Sequence, residues 1–253
     1  MADVTQTTLS VVVPAFNEER RLPALLDRLV NDGEAVVHAA GATLLDVVIV
    51  DDGSTDATPS ILAAAASRLT FVNVITFGEN RGKGAAVRAG VLSASGERIL
   101  VTDVDLSTPL DDLASLAAAV DGGADVAIGS RSMKGSQVLV HQPRHRELMG
   151  KTFNLLLRMA TGIPWRDTQC GFKLFRAEAA RRLFALQRVD GFAFDAELCV
   201  NARRLGIGVA EVPVTWRDNG DTRVHLIRSS ARMAADLVRI AWRARKPLSP
   251  GEC

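Results

Sequence analysis

The chain has 253 residues, 47% of them hydrophobic, enough for one large α/β domain or one domain with an appendage. Lys and Arg number 30 against 29 Asp and Glu, so the formal charge is +1. No global basicity points to nucleic acid, and any anion binding has to be local. The cysteines Cys170, Cys199 and Cys253 are scattered without metal-ligand spacing, which argues for a reducing compartment and against a disulfide framework.

The polar start, Met1 to Thr5, leads straight into a strand-like run, so no signal peptide is expected. Leu9 to Pro14 reads as a buried β-branched strand ended by Pro. Asn17-Glu18-Glu19 is expected to open a helix running to about Val30, with Leu22, Leu25, Leu26 and Leu29 at helical spacing. Leu44 to Val50 is a second buried strand that delivers Asp51-Asp52-Gly53-Ser54 to its C-terminal end. Asp56 is placed to cap the helix that follows, through about Arg68. Phe71 to Thr76 is a third strand. Asn80-Arg81-Gly82-Lys83-Gly84 then leads into a helix of small residues, Ala85 to Ser95.

Arg98 to Val101 is strand-like and runs into Asp103-Val104-Asp105. A helix over about Asp111 to Val120 and a strand from Asp125 to Ile128, ending in Gly129-Ser130-Arg131, complete this half. Strand and helix alternating at this cadence predict a mainly parallel, Rossmann-like sheet with helices on both faces. Past residue 130 the rhythm changes. Gly135 to Arg146 reads as a loop containing His141, Arg144, His145 and Arg146, and a helix is expected from Glu147 to Ala160. The two histidines have no ligand-spaced Cys or Glu and read as solvated loop residues. Arg166 to Phe175 mixes a polar turn with a strand-like end. Helices over Ala177–Leu186 and Asp195–Leu205 and one strand over Val209–Trp216 follow.

Arg223 to Arg245 forms a last helix, on which Arg228, Arg232, Arg239 and Arg243 share a narrow arc. Leu226, Met233, Leu237, Ile240 and Ala241 lie opposite. Such a helix suits packing on the core by its apolar side and contact with anionic lipid headgroups by the other. No uncharged apolar run approaches the roughly twenty residues that span a bilayer, so any membrane is met from its surface. The pattern divides into an α/β domain over 1–222 and a basic helix with a frayed tail over 223–253.

Three strands of the first half end in polar clusters, Phe16-Asn17-Glu18, Asp51 to Ser54 and Asp103-Val104-Asp105. In an open α/β sheet these ends share one rim, where ligands bind. Carboxylates at i and i+2, such as Asp103 and Asp105, can converge there. Their repulsion is relieved by a hard divalent cation of the Mg²⁺ or Mn²⁺ kind that leaves room for substrate phosphates. Gly82-Lys83-Gly84 at a helix start brings backbone N–H groups, a positive dipole end and a lysine together, which favours a phosphate. It is neither a Walker A nor a G-x-G-x-x-G pattern.

Val12 to Glu18, Val50 to Ser54, Asn80 to Gly84 and Asp103 to Asp105 together resemble the inverting family 2 glycosyltransferases of GT-A fold. Gly129-Ser130-Arg131 and Arg166 to Phe175 narrow the resemblance to the dolichyl-phosphate glucose and mannose synthases, the second stretch matching the glucose branch better. The resemblance spans about residues 9 to 243. It implies that Pro14, Ala15, Phe16 and Glu18 cradle the nucleotide, that Asp52 contacts the base, and that Lys83 is a donor-site cation. It implies too that Asp103 and Asp105 hold Mg²⁺ or Mn²⁺ and that Arg131 and Arg146 grip the lipid phosphate. Phe16 stands where many members have Tyr, and Ser107 where mannose synthases often carry Gln, which leaves the third metal ligand open.

The implied partners are a nucleotide-sugar donor, a polyprenyl-phosphate acceptor and a membrane surface. UDP-glucose is favoured by branch, with GDP-mannose and UDP-N-acetylhexosamines open. The implied location is peripheral, at the cytoplasmic face. The implied reaction is a single inverting displacement, in which an anionic acceptor phosphate needs positioning more than a base. A hydroxyl acceptor would instead require a carboxylate base such as Asp167 or Asp195. From other classes, an aspartyl phosphatase with Asp103 as nucleophile leaves Asp51-Asp52 and the Asp167 to Phe175 stretch unexplained. An idle nucleotide-binding scaffold would show no metal-dependent turnover.

Overall fold

A computed structural model describes residues 7–219 and 226–245, with the backbone only over 226–231. The first half alternates β1 (Thr7–Ala15), α1 (Leu22–Ala39), β2 (Ala42–Asp51), α2 (Thr58–Arg68), β3 (Val72–Thr76), α3 (Lys83–Ser93) and β4 (Arg98–Val101). After a 3₁₀ turn at Leu110–Asp112 come α4 (Leu113–Asp121), β5 (Val126–Ser130), β6 (Gln137–Val140), α5 (Arg144–Thr161), β7 (Lys173–Arg176), α6 (Ala177–Ala185) and α7 (Phe194–Leu205). The chain then runs through β8 (Val209–Pro213), β9 (Thr215–Arg217) and α8 (Leu226–Ala244).

Seven strands form one sheet in the order β3-β2-β1-β4-β7-β5-β8, all parallel to their neighbours except β7, which is antiparallel to β4 and β5. Val11 to Val13 and Val47 to Val50 are buried on both faces, as central strands of a helix-covered sheet require. Alternation along them feeds two cores. Val12, Ile99 and Val101 pack with residues of α3, α6 and α7, whereas Val11, Val13 and Leu100 pack with residues of α1 and α4. The expected α/β class, with its mainly parallel sheet, is the one observed.

Four local expectations are corrected by contacts distant in sequence. α1 does not open at Asn17. That residue sits at φ 55°, its N–H donates to Ser54 Oγ (2.8 Å), and its Oδ1 accepts from the Thr55 N–H (2.8 Å), latching the end of β1 to the end of β2. The helix then runs past Val30, because Gly33 and Val37 continue the buried stripe. Gly135 to Arg146 is not a loop throughout: Gln137–Val140 becomes β6 by pairing with β9, and α5 begins at Arg144. The single strand expected over Val209–Trp216 is divided at Val214 between the two sheets. Asp56 does serve α2, its Oδ1 accepting from the Thr58 N–H at 2.9 Å.

α8 belongs to the same body as the sheet. Ile240 is buried and Met233 and Leu237 pack against the α3–α6–α7 core, while Arg243 reaches Glu197 of α7 at 3.1 Å. Arg243, at the edge of the predicted basic arc, thus turns its guanidinium towards α7. The side chains of Leu226 and Arg228, the boundary at 222/223, the helix start at Arg223 and the tail from Lys246 lie outside the described residues.

Candidate active site

The rim is built by register. Ala15 is level with Asp51, Asp51 with Thr76, and Val12 with Val101, so β1, β2 and β4 release Phe16–Glu18, Asp52–Ser54 and Thr102–Asp105 along one edge. Pro14 is half-buried, Ala15 is buried and accepts the Asp52 N–H (2.8 Å), and Phe16 is 40% exposed, a ring open to a planar ligand. Glu18 forms a two-point ion pair with Arg21, both bonds 2.6 Å.

Asp52 is buried and both its oxygens are engaged. They accept from Asn80 Nδ2 (2.9 Å) and the N–H groups of Arg81 (2.7 Å) and Gly82 (2.9 Å). Burial raises its pKa against those donors, and the neighbouring Asp51 adds to the rise. Its carboxylate thus shapes the 80–82 loop, Oδ2 accepting two hydrogen bonds and Oδ1 one. Gly82 has φ 107°, and a Cβ on it would lie 2.4 Å from the Asp190 carbonyl oxygen, so only glycine passes there.

That loop aims Lys83, first residue of α3, at Asp103: Nζ to Oδ1 is 2.6 Å. Burial alone would lower the Lys83 pKa, but Asp103, with Asp195 and Asp105 farther off, raises it. Burial alone would likewise raise Asp103, and the Lys83 ammonium, seconded by Lys173 and Arg21, holds it below the ordinary carboxylate range. Asp105 lies beyond the end of β4 on a turn with Leu106 at φ 47°, its Oδ1 accepting the Ser107 N–H (2.9 Å) and its Oδ2 3.8 Å from Arg21. The two carboxylates therefore share the rim from a turn rather than from a regular strand face.

No third His, Cys, Asp or Glu joins them in a metal-holding group among the described residues. Two hard oxygen donors with adjacent cations fit Mg²⁺ or Mn²⁺ that completes its shell with phosphate oxygens and water, rather than a dedicated protein cage.

The Arg166 to Phe175 stretch closes the site from the other side. Gly171 abuts Asp103, and a Cβ on Gly171 would lie 2.1 Å from Asp103 Oδ2. The Cys170 carbonyl accepts from Lys173 Nζ, which is also ion-paired with buried Asp195. Thr168 donates its N–H (3.2 Å) and Oγ1 hydroxyl (2.7 Å) to Asn154 of α5. Asp167 takes Arg131 in a two-point pair, Nε to Oδ2 at 2.7 Å and Nη2 to Oδ1 at 2.8 Å, with the guanidinium 5.3 Å from the centre of the Trp216 ring. Burial opposes the charge on Asp167, and Arg131 overrides it and lowers the carboxyl pKa. Both thiols in the described residues, Cys170 and Cys199, are buried, and burial pushes Cys199 up to about 12, so they act as packing.

Arg131 is thus not an open fork, although Nη1 and the second Nη2 hydrogen remain. Arg146 stands on the first turn of α5, half-buried, its Nε without a hydrogen-bond partner among the described residues. No ion pair or hydrogen bond among the described residues joins it to Arg131 or to Asp103. Arg21, Gly171, Lys173 and Asn154 were not singled out from sequence. Only Gly171 and Lys173 carried a signal, as members of the Arg166 to Phe175 stretch.

A family model described as glycosyl transferase family 2 matches residues 10–184. The chain belongs to this family. As a family 2 glycosyltransferase, it is 37% identical over 236 residues to a dolichyl-phosphate beta-glucosyltransferase of Trichomonas vaginalis, covering 91% of this chain and 69% of that one. It is 35% identical over 243 residues to the human dolichyl-phosphate beta-glucosyltransferase, covering 93% and 75% respectively. Its fold matches glucosyl-3-phosphoglycerate synthase from Mycobacterium tuberculosis, crystallised with Mn²⁺, UDP-glucose and phosphoglyceric acid. The TM-score is 0.68 at 20% identity, over 97% of this chain and 82% of that one. The GT-A architecture is therefore established, and an aspartyl phosphatase is set aside.

Proposed function

We propose that the protein transfers glucose with inversion from UDP-glucose to a polyprenyl phosphate of the dolichyl type, working peripherally at the cytoplasmic face of a membrane. The glucose and dolichyl-phosphate assignment is supported by relatives that align over nine-tenths of this chain and carry that activity in their names. The geometry favours a phosphate acceptor through one observation: both carboxylates expected to act as a base for a hydroxyl are committed to buried ion pairs. Asp167 is paired with Arg131 and Asp195 with Lys173. An acceptor that is already an anion needs no base. Among the described residues no helix is long and apolar enough to cross a membrane, consistent with a peripheral enzyme.

Phe16 offers its exposed ring to the base, with Pro14, Ala15 and Glu18 around the ribose. Asp103 and Asp105 would hold Mg²⁺ or Mn²⁺, which when bound supplies Lewis-acid stabilisation of the departing diphosphate. Lys83 and the N–H groups opening α3 add positive charge where the leaving group develops its own. The free edge of Arg131, with Arg146, orients the acceptor phosphate, a guanidinium being suited to phosphate oxygens. An acceptor oxygen forms the new bond to the sugar's anomeric carbon as the bond to the diphosphate oxygen breaks on the opposite face, and no proton has to move.

The deciding experiment offers labelled UDP- and GDP-sugars with a short polyprenyl phosphate, with and without Mg²⁺ or Mn²⁺. Metal-dependent glucolipid from UDP-glucose is expected. Metal-dependent hydrolysis of a donor without any lipid product would remove the acceptor assignment and the roles of Arg131 and Arg146.

A further inference from the structure

Helix α5 is inverted relative to an ordinary surface helix. Its inward side carries Asn154 and Leu157, while Leu148, Met149, Leu155, Leu156 and Met159 are all exposed, Leu148 by 66% and Met159 by 75%. At 100° per residue, Leu148, Leu155 and Met159 fall within an arc of about 40° that points away from the core. Leu139 and Val140 of β6, just ahead of the helix, are exposed as well. α8 packs beside α5 and turns Val238 and Trp242 outward, Trp242 by 59%. Most of the large apolar side chains that the described residues expose lie on these three elements.

The apolar strip is edged with positive charge. Arg144 and Lys151 stand exposed along α5, where Glu147 is the single carboxylate of the helix. Arg232 and Arg239 are exposed along α8 and Arg245 just past its end, and Asp236 is the single carboxylate of that helix. An apolar stripe between cations is the pattern of a helix lying in the boundary between lipid headgroups and acyl chains. A soluble partner or a second copy would need carboxylates to meet the same rim.

We propose that the outward face of α5, together with β6 and the Val238–Trp242 side of α8, seats the protein on an anionic lipid surface. Membrane contact thus centres on α5 rather than on the arginine arc of the last helix. The choice of lipid as occupant rests on the reading of the acceptor as a lipid phosphate; the exposed face does not. Docking there also has a route to the site, since the opposite side of α5 holds Thr168 through Asn154, next to the Asp167 that fixes Arg131.

The test is flotation with vesicles of phosphatidylcholine alone or with phosphatidylserine. It compares the full chain with the combined Leu148→Glu, Leu155→Glu, Met159→Glu variant and with Val30→Glu, an exposed apolar site on α1. Wild type and Val30→Glu should bind the anionic vesicles, more weakly at high salt, and the triple variant should bind at least about tenfold less. In wild type, Trp242 emission should be quenched by brominated lipid, with the quenching reduced in Trp242→Phe. Equal flotation of the triple variant, or no quenching of the wild type, overturns the proposal. A dimer that the triple variant dissociates, without vesicle binding by the wild type, also overturns it in favour of a second copy.

Transfer to a short, water-soluble polyprenyl phosphate without vesicles separates the two readings. Normal transfer by the triple variant shows an intact site behind a lost docking face. If wild type floats as expected but glucosylates no polyprenyl phosphate, docking stands and the proposed function falls.

Discussion

Asp103 is where the residue scale is most constrained. One of its oxygens is held by Lys83 at 2.6 Å and the other faces Gly171 so closely that a methyl group has no room. A Gly171→Ala substitution therefore has to displace either the Cys170–Gly171 backbone or the proposed metal-holding carboxylate. The expected outcome is a loss of about a hundredfold in kcat/KM with weakened Mn²⁺ binding and a melting temperature little changed, read by kinetics, metal titration and calorimetry. Motif reading singled out Asp103 and Lys83 because each sits in a short pattern with its own chemistry. It missed that glycine and lysine of a separate motif complete the surroundings of Asp103, since nothing in their local sequence refers to β4. Arg131 was singled out but its pairing was not: Asp167 follows it by thirty-six residues, and only the fold brings the two within 2.7 Å.

At the scale of elements, periodicity served the strands and most helices well and failed where a partner strand or a distant side chain decided. Residues 137–140, Gln-Val-Leu-Val, suit a strand but form too short a run within a polar, Gly- and Pro-containing stretch to be read as one alone, and they extend because β9 pairs with them. Asn17 is helix-compatible in isolation and becomes a left-handed latch because Ser54 and Thr55 lie opposite. The last helix shows both sides of this. Its apolar spacing foretold packing, and Met233, Leu237 and Ile240 do pack, whereas the ion pair of Arg243 with Glu197 depends on a partner that its local sequence does not name. Since Ile240 is 1% exposed, Ile240→Ala should cost about 2–4 kcal/mol of unfolding free energy, measured by urea denaturation. A change near zero would show that α8 draws no stability from the α3–α6–α7 core.

Across the whole molecule, buried cation–carboxylate pairs link the sheet to the helices around the rim, and they set the response to acid. Asp167 and Asp103 both titrate below the ordinary carboxylate value of about 3.9 in the folded chain. The unfolded chain then binds more protons as the pH falls below that value. Their stabilisation is therefore complete above about pH 4 and is lost as the pH drops through their folded values. Asp167→Asn should be less stable than wild type at pH 7, and the gap should narrow progressively below pH 4 in urea unfolding curves. A constant gap would show that the pair contributes packing rather than charge.

The sequence by itself determined the α/β class and the rim of three polar strand ends on which Asp103, Asp105 and Lys83 come to lie, because alternation, helical spacing and strand-end clusters are local properties. Tertiary structure alone decided that β7 runs antiparallel between β4 and β5. That insertion presses Gly171 on Asp103 and brings Asp167 to Arg131. It also decided that α5 shows its apolar side to the outside. These depend on which segments become neighbours, and that is settled by the burial of two shared cores rather than by any one stretch of chain.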